Sequence, residues 1–152
     1  MRRQISLVNE GAEAACELLD ALLELDRGEE AERMLDQVRG LYPHLSELDY
    51  LRGRLQHGRG MHAEAIASFG RVVERTPSMA KAYIWLSRSQ AAAGALRESI
   101  ESLTIAGKLD PGNRDIHFKR ALRRFQVLDI PAGLKDIERV VMMSPLSEVE
   151  AL

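Results

Sequence analysis

The sequence has 152 residues, of which 45% are hydrophobic and 29% charged, a balance typical of globular domains. The formal net charge of -2 argues against a general nucleic-acid binder, which would be basic. The single cysteine, Cys16, cannot form an internal disulfide, the N-terminus lacks the apolar run of a signal peptide, and no segment is as long as a membrane span. We therefore expect a cytoplasmic protein that binds neither nucleic acid nor a membrane.

Four of the five prolines recur at a constant interval of 34 residues: Pro43, Pro77, Pro111 and Pro145. Because proline cannot continue a helix, each of them closes a unit. Near the middle of each unit the sequence breaks at turn-forming residues: Gly28, Gly60, Gly94 and Asp129. Each unit is therefore predicted to be a helix, a tight turn and a second helix.

Small and large apolar residues keep the same interval within the second helix of each unit. The positions twelve residues before each proline are all small: Ala31, Ala65, Ser99 and Gly133. The positions eight before each proline are all large and apolar: Leu35, Phe69, Leu103 and Ile137. Residues four apart share one face of a helix. This pattern therefore predicts that a neighbouring helix approaches closely at the small residue and that the large residue fills the space beside that contact.

In chain order, the pattern predicts eight helices, over 12–25, 28–41, 46–58, 62–75, 79–92, 96–109, 113–127 and 131–143. We expect a single domain, 1–152, of four repeats at 12–45, 46–79, 80–113 and 114–147. A short N-terminal lead, 1–11, and a tail, 148–152, flank the repeats.

The 34-residue unit resembles the tetratricopeptide repeat, and the third unit carries the best match: Tyr83, Leu86, Gly94, Ser99, Leu103, Ala106 and Asp110-Pro111. The resemblance implies an all-α fold, a right-handed superhelical solenoid of four helix-turn-helix repeats. It also implies that the first helix of each repeat lines a concave groove for a partner protein or peptide.

The resemblance assigns ten residues to that groove: Tyr50, Arg54, His57, Lys81, Ile84, Trp85, Arg88, Phe118, Lys119 and Leu122. Aromatic and arginine side chains are common anchors of protein interfaces, so we expect a partner segment with apolar and acidic residues. In the alternative interpretation, Tyr50 and Trp85 belong to the core between hairpins and the arginines form a solvated face.

The implied function is a protein-interaction module, such as an adaptor, chaperone or assembly scaffold, and in size and architecture the chain resembles the chaperones of bacterial secretion systems. The alternative is the N-terminal substrate-recruiting array of a larger enzyme, such as a sulfotransferase or glycosyltransferase. We predict no enzymatic activity, metal or cofactor, because the residues form no catalytic constellation and the four histidines are scattered.

Charge differs between the two ends of the repeat array. Residues 12–45 contain nine acidic and three basic residues, a net charge of -6, whereas residues 114–147 contain seven basic and four acidic, a net charge of +3. Opposite signs favour head-to-tail self-association, and the alternative is two solvated faces. The cluster of Arg120, Arg123 and Arg124 is interpreted as a solvated face, with phosphate contact as the alternative.

The last repeat ends in the apolar run Val140–Met143 without a following long helix to cover it. Repeat arrays usually need a terminal helix with a polar outer face. We therefore expect either that the chain is part of a longer protein, or that a partner or a second copy docks on this end.

Overall fold

The structure, a computed structural model, describes the backbone of residues 2–143 and the side chains from residue 10 onward. Within this part of the chain all regular structure is α-helical, and consecutive helices pair into hairpins. The helices of residues 2–143 are α1 (Arg2–Glu24), α2 (Gly28–Leu41), α3 (Glu47–Gly58), α4 (His62–Arg75), α5 (Ala80–Ala92), α6 (Leu96–Leu109), α7 (Arg114–Gln126) and α8 (Ile130–Met142). The prediction of an all-α helical-repeat fold is confirmed.

Helix α1 differs from the prediction at its start. It begins at Arg2 instead of residue 12, so the predicted start of the first helix is wrong, while the place of the lead, 1–11, outside the repeats stays a prediction. These residues include no proline, and one glycine, Gly11, weakens a helix by only about 1 kcal/mol. The other seven helices start and end within one residue of their predicted bounds. The predicted tail, 148–152, lies outside the described residues.

The chain divides into two compact units, Met1–Pro77 and Ser78–Leu152. The first unit contains α1–α4, and its core includes the buried side chains Leu19, Leu35, Leu51 and Phe69. The second unit contains α5–α8 and is centred on Leu103, Ala106 and Ile116. The division falls within two residues of the predicted border between the second and third repeats. That all four repeats act as one domain stays a prediction.

Each hairpin turns through a residue in the left-handed backbone conformation, and these residues keep the 34-residue interval: Asp26 (φ 56°), Gly60 (φ 76°), Gly94 (φ 84°) and Leu128 (φ 62°). Glycine adopts this conformation freely, whereas the Cβ of other L-residues crowds the following carbonyl. Aspartate tolerates it better than leucine does. The turn of the last hairpin is therefore locally strained at Leu128.

We expect Leu128→Gly to raise the free energy of unfolding by about 0.5–1 kcal/mol, because the strain of about 1–2 kcal/mol outweighs the extra freedom of glycine in the unfolded chain. Leu128 is exposed, so little packing is lost. Urea denaturation followed by circular dichroism measures the change. The reverse variant, Gly94→Leu, should be destabilised. An L128G protein less stable than the wild type would contradict the argument.

The two middle hairpins each have the same polar link between their helices. Ser68 of α4 donates a hydrogen bond to Gln56 Oε1 of α3 at 2.6 Å. At the same repeat positions, Ser102 of α6 donates to Gln90 Oε1 of α5 at 2.8 Å. The partners lie twelve residues apart in both hairpins, so a polar pair at this spacing marks where the two helices of a hairpin meet.

In two of the hairpins, the two helices meet at a close contact between a glycine and a phenylalanine ring. A Cβ on Gly53 of α3 would lie 2.7 Å from Phe69 Cε1 of α4. In the last hairpin the glycine is on the second helix and the phenylalanine on the first. A Cβ on Gly133 of α8 would lie 2.5 Å from Phe125 Cε1 of α7. Both distances are shorter than carbon–carbon contact allows, so only glycine fits at these crossings.

Candidate protein-binding surfaces

The ten residues assigned to the groove lie on the first helices of the last three hairpins. Three are on α3 in the first unit: Tyr50, Arg54 and His57. Seven are on α5 and α7 in the second unit: Lys81, Ile84, Trp85, Arg88, Phe118, Lys119 and Leu122. Their surroundings differ strongly between the two units. Whether they bind a partner stays a prediction.

Arg54 forms an internal ion-pair centre of the first unit. Its guanidinium bonds to Asp20, and its Nη2 donates to Glu24 Oε1 at 2.6 Å, both on α1. The Arg54 side chain is only 8% exposed, whereas the two carboxylates are largely exposed. Asp20 lies 34 residues before Arg54, so the acidic residue of one repeat pairs with the basic residue at the same position of the next. This arrangement leaves Arg54 little surface for a partner.

Tyr50 is buried, and its ring lies edge-on to Phe69 with the centroids 6.0 Å apart. The burial of Tyr50 fits the alternative interpretation of this residue as core, whereas Arg54 is buried and paired and so does not form the solvated face which that interpretation expects. His57 is half-buried near the turn of the same hairpin, with its ring centroid 5.1 Å from that of His62. The α3 face therefore contributes mainly to the packing of the first unit.

Trp85 and Arg88 form a stacked pair on α5. The guanidinium carbon of Arg88 lies 4.3 Å from the centroid of the Trp85 ring, well within the range of a cation–π contact. Arg88 is exposed and Trp85 is half-buried. The neighbouring Ile84 packs against the core of the second unit, while Lys81 points to the surface. The α5 face thus combines a fixed aromatic ring with positive charge.

On α7, two large apolar side chains are exposed, Phe118 at 44% and Leu122 at 42%. Phe118 borders a depression of about 440 Å³ whose other lining residues are Arg114, Asp115 and Val140. Lys119 Nζ lies 2.6 Å from Asp115 Oδ2 in an i,i+4 ion pair. This face therefore exposes apolar surface beside charged side chains, a combination that suits protein contact.

The arginine cluster of the last hairpin is held by a buried carboxylate, Asp136 of α8. Its Oδ1 accepts from Arg120 Nη2 at 2.6 Å, and its Oδ2 accepts from Arg120 Nε at 3.0 Å and from Arg124 Nη1 at 2.7 Å. The interpretation of these arginines as a solvated face is wrong for Arg120 and Arg124. Arg123 donates to Gln126 at 3.0 Å. Arg124 and Asp136 occupy the repeat positions of Gln90 and Ser102, a signal that the sequence contained.

Ion pairs also link α2 to the second hairpin. Arg59, at the end of α3, lies 2.9 Å from Glu32 of α2, and this hydrogen bond lowers the pKa of the Glu32 carboxyl. The same contact raises the pKa of Arg59. Burial lowers the pKa of Arg52, which lies 3.9 Å from Asp36 of α2. These contacts stabilise the packing of α2 on α3.

A second depression, of about 310 Å³, lies beside α1, and half of its lining residues are acidic. It is lined by Ala12, Glu13, Cys16, Glu17, Leu45 and Glu47. Among the described side chains, no three His, Cys, Asp or Glu residues are grouped so that they could hold a metal ion. Between residues 2 and 143, no helix is both long and apolar enough to cross a membrane.

A family model for the tetratricopeptide repeat matches residues 16–78 and 50–114, and the two overlapping matches cover more than half of the chain. The chain belongs to the tetratricopeptide repeat family. Membership confirms the resemblance inferred from the prolines and the small and large residues between them. The matched residues contain helices α2–α6 in full.

Solved structures share the fold of this tetratricopeptide repeat protein. MamA 41-end from Desulfovibrio magneticus RS-1 is 22% identical and has a TM-score of 0.77, over 87% of this chain and 75% of that chain. A thermophilic TPR protein from Thermus thermophilus is 19% identical with a TM-score of 0.73, over 88% and 74% of the two chains. Identities this low show a common fold. No curated protein matches the sequence.

Proposed function

We propose that this tetratricopeptide repeat protein binds a segment of another protein on helices α5 and α7 of its second unit. The family and the repeat fold support an interaction module at this level. The choice of helices is supported by the surfaces they present, because α5 and α7 carry the exposed apolar and basic side chains of the ten candidate residues. The following contacts carry the proposal.

The stacked pair of Trp85 and Arg88 is the observation on which the proposal mainly rests. Because the guanidinium already lies 4.3 Å from the ring centroid, both side chains are ordered before a partner arrives, and less conformational entropy is lost on binding. Tryptophan and arginine are also the residues that most often dominate interface energetics. The stacked pair therefore has the properties of a binding anchor.

The chemistry of the second unit indicates what the partner segment contains. Lys81 and Arg88 on α5 supply positive charge, and Phe118 and Leu122 on α7 supply exposed apolar area. A segment with acidic residues beside large apolar ones complements this combination. Such a segment would be repelled by α1, whose exposed Glu13 and Glu17 are negatively charged like the segment itself.

Selection from a random peptide library tests the proposal without requiring that the partner be identified first. We expect the peptides that bind the wild-type protein to be enriched in Asp, Glu and large apolar residues. The double variant W85A/R88A should bind them about 100-fold more weakly, because each truncation of an anchor costs about 2 kcal/mol and the two effects are not fully additive. Fluorescence anisotropy measures the affinities, and circular dichroism checks that the helices remain.

The matched control removes one arginine and one apolar side chain from the second helix of the same hairpin. R97A/I105A changes two exposed residues of α6 and should leave peptide affinity within about twofold. Selected peptides that are predominantly basic would contradict the proposal. Equal binding by W85A/R88A and the wild type would do so as well.

The specific role, whether adaptor, chaperone or assembly scaffold, stays a prediction, as does the cytoplasmic location. The alternative of a substrate-recruiting array of a sulfotransferase or glycosyltransferase gains no support from MamA and the TPR protein as structural neighbours. A second copy of the chain is a further candidate partner, because residues 12–45 and 114–147 carry net charges of -6 and +3. It would use surfaces other than the stacked pair.

A further inference from the structure

Helix α1 carries an apolar stripe that is open to solvent. Its members recur at intervals of four, three and four residues, which places them on one side of the helix and its following turn: Ala14, Leu18, Ala21 and Leu25. All four are exposed, and Leu18 is exposed at 52%. Leu19 and Leu22, on the neighbouring face, are buried in the first unit. The stripe is therefore apolar surface that the first unit does not use.

In the second hairpin the same repeat positions form a packing interface. The residues 34 positions after Ala14 and Ala21 are Leu48 and Leu55 of α3, and both are buried. Between them Arg52, at the position of Leu18, reaches Asp36 of α2 at 3.9 Å. The stripe positions of a first helix thus face the second helix of the preceding hairpin.

The second unit repeats this arrangement between α6 and α7. Ile116 of α7, at the position of Ala14, is fully buried, and a Cβ on Gly107 of α6 would lie 3.6 Å from it. Arg120, at the position of Leu18, donates to Thr104 of α6 at 3.4 Å. The receiving surface on α6 therefore includes Thr104 and Gly107.

The equivalent receiving surface on α8 is exposed. The residues 34 positions after Thr104 and Gly107 are Glu138 and Val141, and Leu134 lies four residues before Glu138, at the position of Ile100. Ile100 is half-buried and Gly107 is buried, whereas Leu134 is exposed and Val141 is 60% exposed. Helix α8 thus presents a receiving face of exposed apolar side chains around the exposed carboxylate of Glu138, at the positions where α6 receives α7.

We infer that the α1 stripe of one copy packs on the α8 receiving face of a second copy, as α7 packs on α6 within the chain. The stripe occupies the repeat positions of the packed face of α7, and the receiving face occupies those of α6. Contact between two copies would therefore repeat the packing of α7 on α6. Charge favours a second copy as the occupant, because residues 12–45, which include the stripe, have a net charge of -6, and residues 114–147, which include the receiving face, have a net charge of +3. The contact is heterologous, so each copy can bind two others.

The association is measured by sedimentation at about 0.01 M ionic strength, where the Debye length is about 30 Å and charge–charge attraction is only weakly screened. We expect the wild-type mass to rise with protein concentration beyond that of a dimer, and to fall at about 1 M salt. Leu18→Asp on the stripe and Val141→Asp on the receiving face should each weaken self-association about tenfold or more, since each buries a carboxylate in the contact. Ile105→Asp, an exposed change on α6, is the control and should associate like the wild type.

Mixing the two variants distinguishes a heterologous contact from a symmetric one. L18D keeps an intact receiving face and V141D keeps an intact stripe, so an equimolar mixture should form a one-to-one dimer at a concentration at which each variant alone is monomeric. A wild type that stays monomeric, because another segment covers either face, would overturn the inference. Loss of association in V141D but not in L18D would also overturn it, as would a mixture that stays monomeric. W85A/R88A should associate normally, so this test and the peptide test fail separately.

Discussion

Replacing Asp136 with serine is expected to lower the free energy of unfolding by about 3 kcal/mol or more. The Asp136 side chain is 4% exposed and accepts hydrogen bonds from Arg120 and Arg124. Without it, two largely buried guanidinium groups lose their counter-charge, and breaking a buried ion pair from one side costs about 3–5 kcal/mol. Urea denaturation of the full chain, followed by circular dichroism, measures the loss.

The repeat itself supplies the rescue for this variant. The third hairpin has Leu86, Gln90 and Ser102 at the positions of Arg120, Arg124 and Asp136. The triple variant R120L/R124Q/D136S therefore replaces the charged cluster by the set that is linked by the Gln90–Ser102 hydrogen bond. We expect it to regain most of the lost stability, because well-packed replacements of buried ion clusters are often neutral. A triple variant no more stable than D136S would show that the positions are not equivalent.

Replacing Gly53 with alanine is expected to lower the free energy of unfolding by about 2 kcal/mol. The added methyl would lie 2.7 Å from the ring of Phe69, which is fully buried and has no room to move. Overpacking a well-packed core costs about 1–3 kcal/mol, more than the about 0.5–1 kcal/mol that alanine gains over glycine in a helix. The same denaturation measurement applies.

A matched control and a second-site change sharpen the result. Gly70 of α4 has nothing within 4 Å of an added Cβ, so Gly70→Ala should be stabilising by about 0.5–1 kcal/mol. The double variant G53A/F69L should recover stability, because leucine stands at the position of Phe69 in the third hairpin, opposite Ser87. If G53A were as stable as G70A, the close contact between glycine and ring would not be limiting.

The repeat architecture was accessible from sequence because it depends on local preferences that recur. The prolines end helices, the turn residues join them, and the small and large residues at a spacing of four face one side, wherever the unit occurs. Seven helices accordingly have their predicted bounds within one residue. The start of α1 was missed because the repeat pattern begins at residue 12, and the one glycine before it, Gly11, does not end the helix.

The candidate binding residues were harder to separate from packing residues. Arg54 and Arg88 occupy the same repeat position and are indistinguishable by pattern, yet Arg54 is paired with two carboxylates of α1 while Arg88 stacks on Trp85 in the open. Likewise Arg120 and Arg124 have the pattern of surface arginines within their own helix, and the residue that pairs with both, Asp136, lies on the neighbouring helix α8. Each outcome depends on the residue that a neighbouring helix places opposite.

The repeat period, the helix bounds and the family thus follow from the sequence, since the residues that determine them recur in each unit. Which side chains become binding anchors, ion-pair centres or exposed apolar surfaces depends on packing, because burial is a property of two helices in contact. Arg54 is 34 residues from Asp20 and 30 from Glu24, and it meets them only where α1 and α3 lie side by side. No spacing rule within one helix contains that contact.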